Sequence, residues 1–295
     1  MKIGLIDVDG HNFPNLALMK ISAWHKQKGD QVEMFFPMSH YDKVYMSKVF
    51  DFTPDFETCI NADEVVKGGT GYGIGNYLPI EIEHMKPDYS LYGITDTAYG
   101  FISRGCPRQC KFCNVSVQQG KVSRRVAELS EFWDGQKNIV LLDPNITACK
   151  DVETILDELI NSRSYIEFNQ GLDIRLITDK IAEKLNQLKI KMIHFAWDNY
   201  EFKTYEKLKE FRSKLKFDDR RLRVYVLTNF NTTEEQNLER IYKLKELGYD
   251  PYVMIFDKPN APKRLKQMQR WVNNKFIFRS GQAETFEDYL RGVTK

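Results

Sequence analysis

From Tyr99 to Phe256, short apolar runs alternate with amphipathic helical patterns, and that alternation leaves few folds open to the chain. The runs Tyr99–Ser103, Asn138–Leu142, Ile166–Asn169, Met192–Ala196, Arg223–Leu227 and Pro251–Phe256 read as strands. Helical spacing separates the later ones over Asp151–Asn161, Thr178–Leu188, Tyr200–Lys214 and Thr233–Leu247. The last is the clearest, with Thr232 and Glu235 spaced as a capping box and Gly248 placed as its C-cap. Strands joined by helical crossovers lie parallel, and the crossovers are right-handed. Six of them predict a parallel sheet that curls into part of a (β/α)6 barrel.

The residues before Tyr99 predict a separate, smaller α/β unit. Lys2 to Asp7 reads as a strand, Asn15 to Lys28 as a helix, and Gln31–Phe36, Lys43–Ser47 and Glu64–Lys67 as further strands. This is the pattern of a small doubly wound sheet. The glycines at 68, 69, 71, 73 and 75, followed by Pro79 and Pro87, read as a linker. The expected domains are therefore 1–97 and 98–295. Apolar residues at 42% and aromatics at 13% suffice for a core. A net charge of +2 offers no whole-molecule field for nucleic acid, and the basic runs at 220–223 and 263–266 read as solvated flanks. No apolar run approaches a membrane span, and the first residues are too soon charged for a signal peptide. Five cysteines, three of them clustered, do not make a disulfide framework, so a cytoplasmic setting is expected.

The cluster is Cys106-Pro-Arg-Gln-Cys110-Lys-Phe-Cys113, directly after the first predicted strand of the larger unit. Three thiolates on so short a loop suit an iron–sulfur cube with one iron left open. Structural zinc would need a distant fourth ligand. Three unconnected thiols would be an odd coincidence of spacing. Parallel α/β folds gather their sites at the carboxyl ends of strands. Those ends are predicted here at Asp143-Pro-Asn145, at Asn169 to Arg175, at Trp197-Asp198-Asn199, at Thr228-Asn229 and at Asp257-Lys258. His194, inside a strand, reads as a hydrogen-bonded core histidine, while Trp197 either packs or shapes a pocket.

The motif C-x3-C-x-aromatic-C after a strand, with Phe112 in the aromatic place, resembles the signature of the radical S-adenosylmethionine (SAM) superfamily. The resemblance implies a [4Fe–4S] cluster on Cys106, Cys110 and Cys113, with SAM chelating the fourth iron. Its reductive cleavage yields a 5′-deoxyadenosyl radical, supplied with electrons by a flavodoxin or ferredoxin. Phe112 would lie beside the adenine, and Asp143 and Asn145 near the methionyl amino group. The segment Gly171 to Asp179 is similar to the third-strand segment of radical SAM methylthiotransferases and their B12-associated relatives. Arg175 would there meet the SAM carboxylate, unless it serves a salt bridge to Asp173 or Asp179. Asp198 would accept from the ribose hydroxyls.

The amino-terminal unit resembles a shortened cobalamin-binding or methylthiotransferase front domain. It lacks the Asp-x-His-x-x-Gly loop, since Asp9-Gly10-His11 does not match, so cobalamin is not expected. It holds only Cys59, so neither is a second cluster. The rival expectations are a cobalamin-dependent radical SAM methyltransferase and a non-catalytic iron–sulfur or zinc module serving redox or scaffold roles. The sequence leaves the substrate open among nucleoside, peptide, lipid and small metabolite.

Overall fold

The computed structural model describes residues 1–10, 13–281 and 283–293. Within the Asp7 to Pro14 loop, His11 and Asn12 lie outside the described residues. The protein is mixed α/β with parallel sheets. It condenses into two compact units, one of Met1–Ile102, Val117–Gln119 and Val126–Val140, the other of Ser103–Ser116, Gly120–Arg125 and Leu141–Lys295. The first runs past the expected boundary at residue 97 and takes in residues 126–140 as well.

In the first unit, strands β1 (Lys2–Asp7), β2 (Gln31–Met34), β3 (Tyr41–Ser47) and β4 (Ala62–Gly68) form a sheet in the order β2-β1-β3-β4, with every pair parallel. Successive side chains of a strand point to opposite faces. Ile3 and Leu5 accordingly pack with Leu18 and Ile21 of the helix Leu16–Gln27, while Ile6 packs with Tyr41, Val44 and Met46. Each such buried side chain contributes roughly 1.5–3 kcal/mol relative to exposure. Asn15 starts the helix: its side chain accepts from Leu18 N at 3.2 Å and donates to Ser47 Oγ at 2.8 Å.

Two expectations need correction here. The sheet is not doubly wound in the usual sense, because the connections 35–40 and 48–61 carry no helix and cover their face with loop residues such as Phe35, Phe56 and Ile60. Nor are the first glycines a linker. Gly68 ends β4, and a side chain at Gly69 or Gly71 would put its Cβ 2.3 Å from Lys48 O or 2.8 Å from Phe50 O. Those two glycines let one strand exit lie flat on another.

The expected strand 99–103 is two pieces, β5 (Thr97–Gly100) and β6 (Ser103–Arg104). β6 pairs antiparallel with β7 (Arg124–Arg125). The remaining strands are β8 (Asn138–Leu141), β9 (Tyr165–Leu172), β10 (Lys189–Ala196), β11 (Leu222–Thr228) and β12 (Asp250–Ile255). The second sheet has the order β12-β11-β10-β9-β8-β5, and β9 to β12 pair parallel. Helices Val152–Ser162, Asp179–Gln187, Phe202–Arg212 and Glu234–Glu246 fall between successive strands from β8 to β12. The capping box of the last is formed by Thr233 and Gln236, one residue later than the spacing predicted. After β12 the helix Lys263–Asn273 closes over Ile241 and Val253, with Trp271 and Phe286 fully buried beside them.

Candidate functional site

The site is built where β6 and the strands of the second unit end. β6 runs into Gly105, whose φ of +95° few other residues adopt, and a Cβ there would lie 2.1 Å from Val122 O. Cys106 N then donates to Gly120 O at 3.0 Å, so the base of the cysteine loop is closed by the β6–β7 pair and this bond. Cys113 N donates to Cys110 O at 3.0 Å, making a tight turn of the second half of the motif. All three cysteines are half-buried and free. Burial pushes the Cys110 thiol up, and the nearby charges of Asp198, Cys113 and Cys106 add to this while Arg175 opposes it. Burial, with Cys106 and Asp198, likewise raises Cys113, against a backbone hydrogen bond from Val115.

Asp143 and Asn145 follow β8. Asp143 is buried, and its Oδ1 accepts from both Ser103 N and Ser103 Oγ, the latter at 2.7 Å. It therefore anchors the strand that leads into the cysteines. Asn145 Nδ2 donates to Cys106 Sγ at 3.4 Å, its Oδ1 accepts from Thr147 Oγ1 at 2.9 Å, and its carbonyl accepts from Ser123 Oγ at 2.9 Å. Hydrogen bonds to a ligating sulfur are one of the levers that set a cluster's potential.

Arg175 follows β9 and is held by Asp173, through Nε at 2.8 Å and Nη2 at 3.2 Å. Asp179 instead pairs with Lys214 at 2.5 Å. Burial alone would raise the Asp173 carboxyl, but the Arg175 hydrogen bond and charge, helped by Arg108, hold it below the ordinary carboxylate range. The Nη1 of Arg175 keeps a 3.8 Å contact with Glu201. The guanidinium thus reaches the site already oriented by a neighbour.

Asp198 follows β10. Burial pushes its carboxyl up to about 6, although Arg240, Arg175 and the Leu227 backbone all favour the charged form. Arg240 is itself fully buried. It donates to the carbonyls of Trp197, Asp198 (2.9 Å) and Leu227 (2.8 Å), to Thr232 Oγ1 (3.2 Å) and to Asn237 Oδ1 (2.6 Å). With this set it fixes the ends of β10 and β11 to the start of the next helix. Burial lowers its pKa to about 10.

Phe112 meets Phe230 edge-on at 5.5 Å, and Phe230 meets Phe256 at 5.0 Å, so the aromatic of the motif joins an aromatic row. His194 is a core residue: its Nδ1 hydrogen-bonds Phe168 O at 2.8 Å, and its ring stacks on Tyr225 at 4.9 Å. Trp197 is buried and stacks on Tyr205, and both line a small cavity of about 60 Å³ with Tyr200, Glu201, Phe202 and Lys243. Asn229 and Asp257 are engaged locally, with Phe256 O and Asn260 respectively. Ser103, Arg108, Thr147 and Arg240 went unrecognised in the sequence. Only Arg108 carried a signal, since it sits between two of the cysteines.

Among the described residues, no three His, Cys, Asp or Glu side chains are arranged to hold one metal ion. The donors that an iron–sulfur cluster would take are present as three unpaired thiols on one loop closed at its base.

No protein-family model matches the chain. It is 28% identical over 125 residues to a CDK5RAP1-like protein of Oryza sativa subsp. japonica, a match covering 38% of this chain. The chain spans about a fifth of the length of that relative, 20% of it. No helix among the described residues is long and apolar enough to cross a membrane.

Proposed function

We propose that the chain is a radical SAM enzyme that carries a [4Fe–4S] cluster on Cys106, Cys110 and Cys113. The observation that carries this reading is the cysteine loop itself: three free thiols within eight residues, on a loop pinned at its base and touched by Asn145. When bound, the cluster and SAM supply reductive cleavage of the sulfonium to a 5′-deoxyadenosyl radical. The chain's own residues do the positioning. Arg175, held by Asp173, presents its outer nitrogen to a carboxylate. Asp198 accepts hydroxyl hydrogens at the end of β10, and Phe112 offers a ring face or edge to a planar base. The sequential spatial order of the six strands supports a partial barrel around this site. Five unpaired cysteines support a reducing, cytoplasmic setting with a flavodoxin or ferredoxin as reductant.

The test is anaerobic reconstitution with iron and sulfide, followed by dithionite and SAM. The expected result is a cluster-bound chain that releases 5′-deoxyadenosine, and no release from Cys110→Ala. A cluster without SAM cleavage would turn the reading to a redox or scaffold role, and zinc without iron would sink it.

A further inference from the structure

Arg108 lies between the first two cysteines, and its Nε donates to the carboxylate of Asp173, which is almost fully buried. A second path leaves the same residue. Asp173 N donates to Thr147 Oγ1 at 2.9 Å, Thr147 Oγ1 donates to Asn145 Oδ1 at 2.9 Å, and Asn145 Nδ2 donates to Cys106 Sγ at 3.4 Å. The third-strand exit therefore reaches the cysteine loop from two sides, by the side chain of Asp173 and by its backbone. Each donor on this path meets one acceptor, and the Thr147 hydroxyl both accepts and donates, as a hydroxyl can. The same carboxylate also holds Arg175.

We propose that Asp173 is a positioning residue, a latch that fixes the cysteine loop against the end of β9 before any metal centre is built. The meaning of the latch for catalysis rests on the radical SAM reading, but the latch is a property of the bare chain. A carboxylate shared by two guanidiniums suits this task, because charge-assisted bonds are the stronger and more directional kind. Arg108 stands in the spacer of the motif, so the bond acts on Cys106 and Cys110 together.

Alkylation of the reduced, metal-free protein by iodoacetamide, followed peptide by peptide, tests this. The chain supplies its own references: Cys149 is buried in the same unit and reports global opening, and Cys59 is exposed and reports the reagent. Asp173→Asn and Arg108→Leu are each expected to speed alkylation of Cys106 and Cys110 about tenfold, with Cys149 unchanged. One variant removes an anion and the other a cation, so their field effects on thiolate formation are opposite. Acceleration by both therefore reports loop opening. The double variant should match the faster single one, since both break one bond.

Unchanged rates overturn the latch, as does a Cys149 rate that rises in step or a double variant at the product of the two singles. If Asp173→Asn fails to fold, Arg108→Leu on the loop decides alone. Iron uptake by the wild type is measured in parallel. A wild-type chain that takes no iron overturns the radical SAM reading, while the alkylation rates still decide the latch.

Discussion

Arg240→Met tests the account of how the strand ends are held. The guanidinium is fully buried and donates to five oxygens: the carbonyls of Trp197, Asp198 and Leu227, Thr232 Oγ1 and Asn237 Oδ1. Methionine keeps much of the volume and satisfies none of them. A buried acceptor left without a donor costs about 1–3 kcal/mol, and breaking a buried charged network about 3–5 kcal/mol in all, because neighbours relax. We expect a loss of about 3–5 kcal/mol, a large share of the 5–15 kcal/mol typical of a domain. For a unit of this size that lowers the melting midpoint by roughly 6–20 °C. Arg240→Lys should fall between, since one ammonium has three donors and no fork. The variant also removes the largest charge opposing the rise of Asp198, so the Asp198 carboxyl should titrate above about 6. Thermal melts and carboxyl-resolved NMR titration measure the two effects. A midpoint within about 2 °C of wild type, with Asp198 unmoved, would refute the reasoning.

Asp198→Asn should behave in the opposite sense. A folded pKa of about 6 against an ordinary 3.8 means the native state binds the proton more tightly, so the contribution of Asp198 falls as pH rises from about 4 to about 6 and stays low above that. The variant should gain on the order of 2–3 kcal/mol at pH 7 in denaturant titrations and lose the slope in that window; a variant no more stable than wild type at pH 7 contradicts this. Gly105→Ala should displace the loop, because its Cβ would sit 2.1 Å from Val122 O, and iron uptake on reconstitution should drop together with the melting midpoint. Thr233→Ala should cost about 1 kcal/mol as the loss of a helix cap, read from urea midpoints; no measurable change would place the cap elsewhere. Ser103→Ala removes a 2.7 Å bond to buried Asp143 and should cost about 1–2 kcal/mol by the same assay.

The parts of the fold legible in the sequence were those set by periodicity. The helix Glu234–Glu246 and strands β8 to β12 fall close to the runs that apolar spacing picked out. Errors came where a short-range signal admitted two readings. Thr232 and Glu235 make as good a capping pair on paper as Thr233 and Gln236, but Thr232 Oγ1 is taken by Asn237 and Arg240. The glycines at 69 and 71 looked like a hinge, and only the close approach of Lys48 shows why side chains are excluded. In the site, the cysteines were legible because three thiols on one loop are rare. Arg240 was not, because an arginine in a charged helix looks like any solvated one until its five acceptors arrive from distant parts of the chain.

The distribution of unfavourable groups in the second unit argues against a purely structural role for the strand exits. At the opposite end of the same sheet, buried Asp250 meets Arg223 at 2.9 Å, Lys275 at 2.8 Å and Arg279 at 3.2 Å, so that charge is amply compensated. At the exits the compensation is incomplete. Asp198 is pushed up to about 6, Cys110 and Cys113 are raised, and the buried Trp197 Nε1, Asn237 Nδ2 and Arg240 Nε have no hydrogen-bond partner. Burial without compensation costs stability, and a fold free of function could relieve it by apolar substitution at each position. Such uncompensated burial at the ends of β10 and β11, with Asp198 and Arg175 close enough to Cys110 to act on its charge, is the pattern expected where polar groups are kept for a ligand.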